Sequence, residues 1–173
     1  MVSDESTLKA TEAAMNARIE GHAIDLPAAY AVSSLYRAAN AVRNHLTNTV
    51  LREHDLTWTG FVVLWVVWIW RSMEARKVAE SAAISKATLS GVIKTLTTRG
   101  WLARVPSKAD RRLVLLELTA SGEELMNELY PKFNAAESAA VAGLSAGQVD
   151  ELTATLRTIV EDVSQPAESA APD

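Results

Sequence analysis

The stretch SKATLSGVIKTLTTRGWLARVPSKADRRLVLLELT, Ser85 to Thr119, joins a helical pattern directly to a charged hairpin. In its first half Leu89, Val92, Ile93 and Leu96 recur at i, i+3, i+4 and i+7. That is one inward apolar face of a helix from Lys86 to Arg99. Ser85 is a suitable N-cap and Gly100 a suitable C′ residue. The second half predicts two strands, Trp101 to Val105, ended by Pro106, and Leu113 to Leu118, with Leu113-Val114-Leu115-Leu116 as a buried run. The loop between them carries Lys108, Asp110, Arg111 and Arg112.

The face of the helix opposite its apolar stripe holds Ala87, Gly91, Lys94 and Thr98, flanked by Thr88, Ser90 and Thr95, and contains no acid. An ordinary solvated helix face mixes in glutamate. Gly91 costs about 1 kcal/mol relative to alanine in a helix interior, which is explained if something must approach the backbone closely. The DNA major groove admits a helix, and small hydroxyl side chains with a lysine can meet base edges, thymine methyls and phosphates. The positive N-terminal end, at Ser85 and Lys86, favours a phosphate.

The neighbouring segments extend this pattern. A short helix fits Ala75 to Ala82, before the turn Ile84-Ser85, and Thr57 caps a helix ending near Arg71. Pro27 suits the start of a long helix from Ala28 to about His54. Thr119 caps a helix containing Pro131, which is expected to kink it, and Ser145 caps a last helix to Val163. Four helices, a two-stranded hairpin and two more helices make a mainly α fold with a small β-hairpin wing, a winged helix-turn-helix. The expected organisation is an N-terminal extension 1–27, frayed or helical; a dimerisation helix 28–56; a DNA-binding lobe 57–118; C-terminal dimerisation helices 119–163; and a disordered tail 164–173.

Charge sharpens this reading. The whole chain of 173 residues carries −4, yet Arg71 to Arg112 holds ten Lys and Arg against three acids, a net of +7 inside a −11 frame. A basic centre in an acidic frame is the footprint of a localised phosphate-binding surface. The absence of cysteine excludes disulfides and thiolate metal sites. The three histidines, His22, His45 and His54, lack metal-ligand spacing, and no nucleophile triad or phosphate-cradling loop stands out. No metal, cofactor or enzymatic activity is therefore expected. The most apolar run, Phe61 to Trp70, is ten residues, too short to span a bilayer, so a soluble cytoplasmic protein without a membrane partner is the expectation.

The segment Ala75 to Leu125, with RGWLAR, the Asp-x-Arg of Asp110 and Arg112, and LTASG as a Leu-Thr-x-x-Gly, resembles the DNA-binding lobe of the MarR family of bacterial transcriptional regulators. The resemblance extends over about residues 28 to 163. It implies a homodimer on an inverted-repeat DNA operator, acting as a repressor that a small effector releases. It also implies that Arg112 enters the minor groove and that Asp110 orients Arg104 or Arg112. The turn between the two helices, often a glycine in the family, here has Ala83.

A dimer would also cover the apolar surface of the first and last helices and set two reading helices roughly 34 Å apart. Trp58, Phe61, Trp65 and Trp68 form an aromatic stripe at spacings of 3, 4 and 3 on a helix apolar nearly all round, which is therefore expected to be buried. The stripe is dense core or, in part, an effector cavity for an aromatic carboxylic acid, with Arg43 and His45 as its charge partners. The alternative function is a winged-helix module that binds protein without specific DNA binding.

Overall fold

A computed structural model describes residues 4–19, 21–107, 109–110 and 113–164. Lys108, Arg111, Arg112 and the tail after Ser164 lie outside the described residues. The chain divides into two compact units, Met1–His45 and Leu46–Asp173.

The first unit holds α1 (Asp4–Ile19) and most of α2 (Leu26–Thr49). The extension is thus helical over α1, where the Tyr30 hydroxyl donates to Asn16 Oδ1. The cap of α2 is Asp25, whose Oδ1 accepts the Ala28 N–H at 3.0 Å. Pro27 sits in the first turn, where a missing N–H costs no hydrogen bond. Val32, Tyr36 and Val42 are exposed.

The expected unbroken helix to His54 is corrected in the second unit. α2 stops at Thr49, and a 3-10 turn, Leu51–His54, closes on Asp55 at φ 48°. Leu46, Val50 and Leu51 are buried there, so the tight turn holds three apolar side chains in the core. α3 (Trp58–Trp70) follows, capped by Thr57 Oγ1, which accepts the Gly60 N–H at 3.1 Å. Phe61, Val63, Leu64, Val66 and Val67 are buried, but Trp65, Ile69 and Trp70 are 37%, 50% and 65% exposed. The expectation that α3 is buried all round is corrected: its second apolar side has no cover within a single chain.

β1 (Ser72–Glu74), α4 (Ala75–Ser81), α5 (Lys86–Thr98), β2 (Leu102–Pro106) and β3 (Val114–Leu118) complete the central part. The two-stranded hairpin is in fact a three-stranded antiparallel sheet in the order β1-β3-β2. Ser72 pairs with Glu117 and donates its hydroxyl to Glu117 Oε1 at 2.8 Å. Arg104 pairs with Leu116, and Pro106, expected to end β2, is its last paired residue, opposite Val114. Leu113 and Val114, expected in a buried run, are exposed, whereas Leu116 is 1% exposed. Val114 and Leu116 are two apart and share one face of the strand, so what separates them is position along it: Leu116 pairs with Arg104 mid-strand, and Val114 stands at the wing end opposite Pro106.

Ala83 keeps the turn that a glycine usually makes. It adopts φ 51°, while the N–H groups of Ala83 and Ile84 donate to the Glu80 and Ala79 carbonyls at 3.1 and 3.0 Å. This is the Schellman closure with alanine in the left-handed position. α5 ends on the same closure at Gly100, φ 74°, where Gly100 and Trp101 donate to Thr97 and Leu96 at 3.0 Å each.

α6 (Ala120–Ala140) runs through Pro131, and α7 (Ala146–Ser164) opens on a reciprocal cap between Ser145 and Gln148. In α6 an exposed Lys132–Glu128 pair at 2.8 Å holds the Glu128 carboxyl below its ordinary range, a contact of small energetic weight in water. α7 buries no residue, and Leu152, Ile159, Val160 and Val163 are exposed along it. Among the described residues no helix is long and apolar enough to cross a membrane, and no cluster of His, Asp or Glu could hold a metal.

Candidate nucleic-acid interface

Leu89, Ile93 and Leu96 anchor α5 to the core at 3%, 3% and 1% exposure. This aims the rest of the helix outward. Ser85, Lys86, Ala87, Thr88, Ser90, Gly91, Lys94 and Thr95 are all exposed, so the structure brings them together on one outer face. Ser85 Oγ accepts the Thr88 N–H at 3.0 Å, which fixes the start of the helix.

Four hydroxyls of this face are engaged in local hydrogen bonds. Ser90 Oγ donates to Lys86 O at 3.0 Å, Thr95 Oγ1 to Gly91 O at 3.2 Å, and the Ser85 and Thr88 hydroxyls lie 2.8 Å apart. The surface presented combines these small hydroxyl side chains with the Ala87 methyl, the bare backbone at Gly91 and the amines of Lys86 and Lys94. Gly91 is required by neither packing nor backbone strain: a Cβ there would meet nothing within 4 Å.

Two clefts flank α5. One, of about 380 Å³, is lined by Arg76, Lys86, Ser90 and Arg104 over an apolar floor of Leu89, Val114 and Leu116. The other, of about 320 Å³, lies between Asp55, Thr57 and Gly60 on one side and Thr88, Gly91, Thr95 and Arg99 on the other. Arg76 was missing from the residues expected here. Its signal in the sequence is its place among the ten basic residues between Arg71 and Arg112.

The wing loop is organised by Ser107, buried at 7%. Its hydroxyl accepts the N–H groups of Ala109 and Asp110 at 3.2 and 3.3 Å. Ser107 N–H donates to Leu113 O, and Leu113 N–H to Asp110 O, both at 2.9 Å. The base of the loop is thereby closed and Asp110 is exposed at its turn. The tip residues Lys108, Arg111 and Arg112 lie outside the described residues.

The residues expected around an effector divide differently. Phe61 is a core residue stacked on Phe133 with centroids 4.0 Å apart, with Trp58 tilted 6.3 Å from Phe61 and Trp68 5.2 Å from Tyr130. α6 thus covers Trp58, Phe61 and Trp68 and leaves Trp65 open. Arg43 and His45 belong to the first unit, both exposed, and Arg43 donates to Asn40 Oδ1 at 2.6 Å.

Comparison with known proteins follows this geometry. The MarR family model matches residues 56–114, the segment from the turn before α3 to the start of β3. The HTH-type transcriptional regulator YwaE of Bacillus subtilis (strain 168) is 36% identical over 140 residues, 81% of this chain and 82% of that protein. The chain belongs to the MarR family. Its MarR relatives are transcriptional regulators, and this chain is a DNA-binding regulator rather than an enzyme. Among solved MarR-type structures, BpsR of Bordetella bronchiseptica, whose DNA binding is regulated by 6-hydroxynicotinic acid, aligns with a TM-score of 0.68 at 29% identity. That alignment spans 75% of this chain and 98% of BpsR. Sco3205 of Streptomyces coelicolor, solved in complex with DNA, shares the fold with a TM-score of 0.73 at 24% identity over 84% of this chain and 96% of its own.

Proposed function

We propose that a homodimer of this chain binds an inverted-repeat operator as a repressor, with one α5 in the major groove of each half-site. Residues Lys108 to Arg112 of each wing enter the flanking groove. The observation that carries this is the outer face of α5: acid-free, backbone-bare at Gly91, and lined by small side chains whose hydroxyls are held by local hydrogen bonds. Such a surface suits close approach to base edges and thymine methyls, with Lys86 and Lys94 on phosphates. Asp110 then orients the wing cations, and Arg112 reaches the minor groove. The uncovered apolar residues of α2 and α7 supply the dimer contact. DNA in the cytoplasm is the site of action.

Release by an aromatic carboxylic acid is part of the same reading. BpsR supports it through a ligand of that chemistry. In this chain Trp65, exposed on α3, offers a ring for stacking.

Selection from a random duplex pool tests the proposal. The expected product is an inverted repeat with half-site centres about one turn, roughly 34 Å, apart. On that operator Arg112→Ala should lose on the order of 1–3 kcal/mol of binding and flatten the salt slope by about one per protomer. No duplex binding at low or moderate salt, and hence no enrichment, would instead favour the protein-binding winged helix, whereas equal binding to every sequence would leave a non-specific DNA binder.

A further inference from the structure

α5 packs on α3, α4 and β2. Its inward contacts come from Leu89, Ile93 and Leu96, and an open cleft runs along each flank. One side chain crosses the cleft of about 320 Å³. Arg99, the C-cap of α5, donates from Nη1 to Asp55 O at 2.8 Å and from Nη2 to His54 O at 2.9 Å. Its guanidinium carbon also lies 4.0 Å from the centroid of the Trp101 ring.

The partners explain the choice of arginine. His54 ends the 3-10 turn Leu51–His54 and Asp55, at φ 48°, reverses the chain after it. Carbonyls at a helix C-terminus have no donor of their own, and a planar guanidinium holds two at once in a fixed fork that a flexible point-charge ammonium does not pre-organise. The turn is itself anchored, because its first residue, Leu51, is fully buried. The stacking on Trp101 holds the guanidinium from its other face. Arg99 therefore ties the end of α5 to a rigid part of the core and to the start of the wing.

We infer that Arg99 is a positioning residue for DNA reading: it sets the tilt of α5 in the groove by clamping the His54 and Asp55 carbonyls, without contacting DNA. The inference rests on the reading of α5 as the DNA-contacting helix. A helix that rocks still meets phosphates but loses the register that base contacts need. Loss of the clamp should then weaken specific binding and leave non-specific binding intact.

The test uses the full chain with Arg99→Met, which keeps an apolar stem without donors, and Arg99→Lys, which keeps the charge and N–H donors but not the planar fork. Binding is measured to the selected operator and to a random duplex over a range of salt. Arg99→Met should lose about tenfold or more in operator affinity, on the scale of charged hydrogen bonds, with random-duplex affinity and salt slope unchanged. Arg99→Lys should recover part of the loss, and it serves as the reading variant if the methionine protein fails to fold. A salt slope lower by about one per protomer, with random-duplex binding falling in parallel, would make Arg99 a phosphate contact and overturn the inference. So would operator affinity unchanged in both variants. If the wild-type chain selects no sequence, the DNA reading itself fails and takes the positioning role with it.

Discussion

Gly91 and Gly122 are the same residue type kept for opposite reasons. A Cβ at Gly122 would stand 2.1 Å from the Trp101 carbonyl oxygen. The Leu-Thr-x-x-Gly pattern is thus a joint, in which Thr119 Oγ1 accepts the Gly122 N–H at 3.1 Å, Thr119 N–H donates to Trp101 O at 3.1 Å, and Ser121 Oγ donates to Gly100 O at 2.7 Å. Gly122→Ala should destabilise the protein by roughly 1–3 kcal/mol, the cost of overpacking against backbone, read from the denaturant midpoint. Gly91→Ala meets open space and removes a helix penalty, so it should stabilise by up to about 1 kcal/mol. The same substitution should weaken operator binding. Stability and affinity moving together in this variant would remove the case for close DNA approach at Gly91.

Among the elements, α3 separates core from exposed aromatic surface within one helix. Phe61 is stacked and 4% exposed, whereas Trp65 is 37% exposed. Phe61→Ala should therefore cost about 3–5 kcal/mol, as core aromatic truncations do, and Trp65→Ala clearly less. Thermal or urea unfolding of the pair gives the comparison, and equal losses would place Trp65 in the core after all. On the proposed effector reading, Trp65→Ala also diminishes the quenching of tryptophan fluorescence by an aromatic acid and the accompanying drop in operator affinity. Quenching requires only that the ligand bind, whereas the drop in affinity requires it to favour one spacing of the two α5 helices over another.

For the molecule as a whole, the open question of the single chain is its uncovered apolar surface. Val160 and Val163 on α7 are 61% and 76% exposed, with Leu152 and Ile159 on the same helix. A solvated amphipathic helix with no buried residue gains little from its own sequence, and a second copy would cover this stripe. Val160→Glu should shift the chain toward monomer in sedimentation and weaken operator binding with it, because a monomer engages one half-site. A monomeric wild-type chain that still prefers an inverted repeat would exclude this arrangement.

What could be read along the chain is what closes within about one helical turn. The caps at Thr57, Ser85 and Thr119 and the stop at Gly100 each bond a partner three to five residues away, so the helices and the wing were legible, and with them the acid-free face of α5. The features that escaped join residues far apart. β1 is three residues long and exists by pairing with β3, its Ser72 bonding Glu117 45 residues on. Arg99 meets His54 and Asp55 at separations of 45 and 44, and Gly122 is required by the carbonyl of Trp101. Burial along α3 and β3 escaped for the same reason. Hydropathy states which side chains water disfavours, but only packed neighbours decide which of them are covered, leaving Trp65, Trp70 and Val114 outside and Leu116 within.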